Sequence, residues 1–147
     1  MKVIAGMTMV DGYVHGRRPL EHARLQDQAD TLTELLHHDT GFAAGTRVLE
    51  VGCGVGAQTA TLARRGPGSD ITAIDVAPGA LDRARRRLAA VEHDAAVTFL
   101  QADATELPHA DGPLAAGGFD HVVVCFVLEH LVDPGATLAG QIGRAHV

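Results

Sequence analysis

The chain is poor in aromatic residues, with no Trp, one Tyr and four Phe in 147 residues. It has two cysteines, Cys53 and Cys125, too few for a disulfide framework, which points to a reducing compartment. No apolar run is long enough to span a membrane, and the first ten residues lead to no secretory cleavage site. The expected location is therefore cytoplasmic. Basic charge is also scarce: a net charge of −6 argues against a nucleic-acid surface. Arg83, Arg85, Arg86 and Arg87 do cluster, but no aromatics interleave with them, so they read as a solvated helix face. Nine histidines are present, yet no spacing suits a metal. There is no internal repeat or low-complexity tract.

What remains is one domain with enough apolar residues, 46%, to form a core. Residues 1–20 read as an irregular arm, and 21–147 as the domain. From Glu21 to His38, the spacing of Leu25, Ala29, Leu32, Leu35 and Leu36 predicts an amphipathic helix. Strands are expected at Arg47–Val51, Ile71–Asp75, Val97–Gln101 and His121–Leu128. Helices are expected at Ala57–Arg65 and Pro78–Val91, and another starts after Asp133-Pro134. Leu107–Gly118, rich in Gly and Pro, reads as a loop. Strands alternating with helices give an α/β fold, a Rossmann-like parallel sheet with helices on both faces. Ligands of such sheets bind at the carboxyl ends of the strands.

The first strand runs into Val48-Leu49-Glu50-Val51-Gly52-Cys53-Gly54-Val55-Gly56. Glycines at this spacing allow a sharp turn and close approach to a ligand, ahead of a helix N-terminus. Glu50 suits a ligand that carries an ammonium group. Asp75, ending the second strand, can accept both hydroxyls of a ribose. Asp103, just past the third strand, can accept from an adenine amine. Each acid could instead be a turn former or helix cap. Gly52-x-Gly54-x-x-Ala57 with Asp75 also matches the dinucleotide fingerprint, so an NAD(P) site is the alternative. Glu50 counts against it, because that position is usually apolar there.

In these motifs the chain resembles the class I S-adenosylmethionine-dependent methyltransferases, nearest the ubiquinone/menaquinone-biosynthesis-like small-molecule group. The likeness runs from about Tyr13 to Leu138. Residues 48–56 are similar to the family's first motif, Ile74-Asp75 to its ribose-binding acid, and Gln101-Ala102-Asp103-Ala104 to its adenine motif. Phe119-Asp120-His121 through Leu128-Glu129-His130-Leu131 resembles its fourth strand and the following turn. The resemblance implies an S-adenosylmethionine site. Gly52, Cys53 and Gly54 would meet the methionyl part, Glu50 its ammonium and Thr59 its carboxylate. Asp75 and Val76 would hold the ribose, and Asp103 and Ala104 the adenine. Cys125 and Phe126 would border the methionyl chain, and Tyr13 would close the site from the arm. The implied reaction is methyl transfer to a small-molecule acceptor, with no catalytic base assigned. A fragment that binds the cofactor without transfer is a further alternative.

The order 3-2-1-4 is expected for the sheet, with the family's later strands missing. The chain thus reads as truncated, with about 140–147 as a non-native tail. The fourth strand is apolar enough to be buried on both faces, yet it would form an edge. Self-association through that edge is expected.

Overall fold

The computed structural model describes residues 35–142 and, ahead of them, 23, 24, 27 and 31–33. The arm with Tyr13, and the tail beyond 142, lie outside the described residues. Within the expected first helix, the described residues up to 37 are helical.

Strand β1 spans Arg47–Val51 and is buried after its first residue. Helix α1 spans Ala57–Arg65 and ends at Gly66, whose N–H bonds to the carbonyl of Leu62. Arg64 and Arg65 occupy its last turn, where cations complement the helix dipole. Strand β2 (Asp70–Asp75) leads to α2 (Pro78–Ala89), with Pro at the helix start where no N–H is needed. Strand β3 is Ala96–Gln101 and β4 is His121–Val124. Helix α3 spans Pro134–Ile142, and the Asp133 carboxylate caps it by accepting from the N–H of Ala136 at 2.8 Å.

The four strands are parallel in the order β3-β2-β1-β4. Alternation along each strand divides the core in two. Val48, Ile71, Val97 and Val123 face one side, against Leu62, Ala63 and Leu88 of α1 and α2. Leu49, Val51, Ile74, Leu100, Val122 and Val124 face the other, against Leu107 and Phe119. Helix α3 packs beside the 3-10 turn at Leu107–His109.

Two expectations need correction. The fourth strand ends at Val124 rather than Leu128. Phe126 takes a left-handed φ of 58°, which turns the chain out of the sheet before a 3-10 turn at Leu128–His130. Its valines are half-buried, as the expected edge position implies: among the described residues β4 has β1 as its one strand neighbour. The Leu107–Gly118 segment is also more ordered than a plain loop and holds two 3-10 turns.

Close approach fixes the loop after β1. A Cβ at Gly56 would lie 2.8 Å from the backbone Cα of Ala84 in α2, and its φ of 78° is unfavourable for other residues. We expect Gly56→Ala to lower stability by about 2–4 kcal/mol, combining overpacking with left-handed strain. Chemical denaturation measures this, and a loss below about 1 kcal/mol would contradict the contact.

Candidate functional site

The carboxyl ends of β1, β2 and β4 converge around the glycine loop. Four of its backbone donors are already committed, among them the N–H of Gly56, which donates to the carbonyl of Cys53 at 2.9 Å. The N–H groups of Gly52 and Cys53 both donate to the carbonyl of Ile74, at 2.8 and 2.9 Å. The N–H of Gly54 donates to Asp75 Oδ2 at 2.9 Å. What the loop offers a ligand is therefore room. A Cβ built on Gly54 meets no atom within 4 Å. Gly52 is different: its Cβ would collide with Val127 Cγ2, so the segment after β4 sits directly on the loop.

Asp75 has a structural role that its sequence position alone does not reveal. While Oδ2 holds Gly54, Oδ1 accepts from the N–H of Ala77 at 2.8 Å, just ahead of α2. One carboxylate thus joins the loop to the start of the next helix. Two of its four acceptor positions remain for a ligand. Val76, half-buried beside it, accepts from Gln101 Nε2 through its carbonyl at 3.2 Å.

Glu50 lies beneath the first turn of α1 and is only 3% exposed. Thr59 Oγ1 donates to its Oε2 at 2.6 Å. Burial raises the Glu50 pKa to about 7; the charge of Asp75 adds to the rise and the Thr59 bond opposes it. Thr59 is fully buried, so its hydroxyl supports the acid. Cys53 packs among Ala73, Leu81 and Phe99. Burial, and then the charges of Glu50 and Asp75, push its thiol far above the ordinary range. Cys125 is half-buried and is also raised, first by burial and then by Glu50. Both are free thiols with little thiolate character.

Asp103 uses one oxygen locally. Its Oδ1 accepts from the N–H and the hydroxyl of Thr105, at 2.8 and 2.7 Å, which forms a side-chain turn. Ala104 packs at the margin of the core on that side of the sheet. Phe126, half-buried, stands at the end of β4 with Cys125. His130 is 1% exposed, with Nε2 3.6 Å from the Glu129 carboxylate. That burial sets it apart from a loop residue facing solvent.

Two site residues escaped the sequence reading. Gln58, in the first turn of α1, is 6% exposed, and its Oε1 is hydrogen-bonded to Nε2 of the buried His37. Polar residues amid the apolar faces of two helices were the available signal. The partnership itself joins residues 21 positions apart.

The methyltransferase domain family matches residues 48–145. A demethylmenaquinone methyltransferase of Clavibacter sepedonicus is 40% identical over 62% of this chain and 33% of its own length. A ubiquinone biosynthesis O-methyltransferase of Alkalilimnicola ehrlichii is 38% identical over 67% of this chain and 36% of its own. The crystal structure of a SAM dependent methyltransferase from Aquifex aeolicus superposes with a TM-score of 0.67 at 21% identity, over 88% of this chain and 68% of that one. The chain belongs to the methyltransferase domain family and has the Rossmann-like fold of the solved S-adenosylmethionine-dependent methyltransferase. It spans about a third of the length of the curated relatives it matches.

The raised pKa of Glu50 has a consequence for stability. A carboxyl that binds its proton more tightly in the folded state favours folding at low pH. Its contribution is greatest below its ordinary 4.5, falls as pH rises toward about 7, and is flat above that. The full span is up to about 3 kcal/mol. Glu50→Gln should remove this slope and exceed the unsubstituted chain in stability at pH 8 but not at pH 4.5. Denaturant titrations at both pH values check this; parallel pH profiles for the two proteins would refute it.

Proposed function

We propose that this chain binds S-adenosylmethionine at the carboxyl edge of its sheet and serves methyl transfer to a small-molecule acceptor. The observation that carries this reading is the buried acid Glu50 beneath α1, together with the open space over Gly54. Asp75 would offer its remaining acceptor positions to the ribose, and Asp103 and Ala104 would border the adenine. Cys125 and Phe126 would line the methionyl side. The bound cofactor supplies a methyl group already activated on a sulfonium. The chain's residues would then align the partners and exclude water. No catalytic base is assigned. The relatives' names suggest a quinone-type acceptor. A cytoplasmic setting fits the two free thiols.

An NAD(P) site is disfavoured by Glu50. A dinucleotide places its pyrophosphate at this helix N-terminus, where a buried acid would oppose it. Calorimetry with S-adenosylhomocysteine and with NAD tests the choice. We expect selective binding of S-adenosylhomocysteine, weakened at least about tenfold by Gly54→Ala, which fills the open space. Absence of binding by a chain that circular dichroism shows to be folded would sink the proposal. Turnover with an acceptor would separate an enzyme from a fragment that only binds.

We also propose that the β4 edge pairs with a second strand, by self-association where none else is supplied. An apolar edge with unpaired backbone groups is a template for such pairing. Sedimentation should show mass rising with concentration; a monomer across the range would refute it.

A further inference from the structure

Helix α1 begins without a side-chain cap, since its N-cap is Gly56. The first N–H groups of a helix lack intrahelical acceptors, and the dipole makes this end positive. Gln58 stands in that first turn, and helical side chains lean back toward the N-terminus.

The orientation of that amide is set from outside α1. His37 bonds Gln58 Oε1 through Nε2 and Thr40 Oγ1 through Nδ1, the latter at 3.2 Å. For His37 to donate from Nε2, its neutral ring must accept at Nδ1, and the Thr40 hydroxyl can supply that proton. Gln58 is thereby held with Oε1 toward His37 and Nε2 turned away. Nε2 is buried and has no hydrogen-bond partner among the described residues. A buried donor left unpaired is costly and rare in native structures.

We infer that Gln58 Nε2, preset by His37, is the donor that receives the carboxylate of the ligand's amino-acid end at the N-terminus of α1. This rests on the cofactor reading proposed above, and it assigns the two charges of that end to two sides of one helical turn. Glu50, held by Thr59, takes the ammonium; Gln58 takes the carboxylate. Thr59 does not meet the carboxylate, because its hydroxyl is engaged with Glu50. His37 is a positioning residue and touches Gln58, not the ligand.

Three probes test this by calorimetry: S-adenosylhomocysteine, its decarboxylated analogue, and 5′-methylthioadenosine, which lacks the whole amino-acid end. The unsubstituted chain should bind S-adenosylhomocysteine at least about tenfold more tightly than the decarboxylated analogue. Gln58→Met should abolish that preference and leave 5′-methylthioadenosine affinity unchanged. His37→Phe should reduce the same preference, an effect that simple loss of stability would not produce. If the unsubstituted chain binds both amino-containing ligands equally, the inference is overturned without any variant. If Gln58→Met weakens all three ligands equally, its role is structural and the inference also fails. If the unsubstituted chain binds none of the three, the cofactor reading itself falls and takes this assignment with it.

Discussion

The site depends on the absence of two methyl groups. Val127 occupies the space a side chain at Gly52 would need, and Ala84 occupies the space beside Gly56. These contacts draw the segment after β4 and the body of α2 onto one short loop. The loop cannot shift without opening both. Gly54, between them, is left uncovered. The same stretch of backbone is therefore clamped at two glycines and open at the third.

Electrostatics follow from that clamp. Asp75 ties Gly54 to the start of α2, and so its negative charge is held near Glu50. Glu50 is buried by α1, which the Gly56 contact holds against α2. Burial and a neighbouring carboxylate both favour its protonated form, with a single hydroxyl bond in opposition. A ligand bearing a fixed cation reverses this balance. A bare anion does not, and the distinction favours a zwitterionic amino-acid end over a pyrophosphate.

Much of this was legible from residue order. The apolar run before Gly52 defined β1, Pro78 marked the start of α2, and Asp133-Pro134 marked that of α3. The parallel sheet followed from the alternation of elements, and the strand order from the family resemblance. The end of β4 was not legible, because Val124 to Leu128 is apolar throughout. What ends the strand is the backbone of Phe126, turned where Val127 seats on Gly52. Asp103 was equally open to two readings, and its bonds to Thr105 show the turn-forming one at work. Nothing local could pair His37 with Gln58, since neither belongs to a spaced motif and the contact forms only when the first helix reaches α1.

The sequence by itself determined the fold class, the parallel pairing of strands and the gathering of Glu50, Asp75 and Asp103 near one sheet edge. Periodicity and glycine spacing are local properties, and they are written in the residues. Only tertiary structure decided which of those groups are committed and which are available. It spent the N–H groups of Gly52, Cys53 and Gly54 on Ile74 and Asp75, gave the Thr59 hydroxyl to Glu50, and left the amide of Gln58 buried without an acceptor among the described residues. Hydrogen-bond satisfaction depends on distances between elements remote in the chain, and no pattern along the chain encodes them.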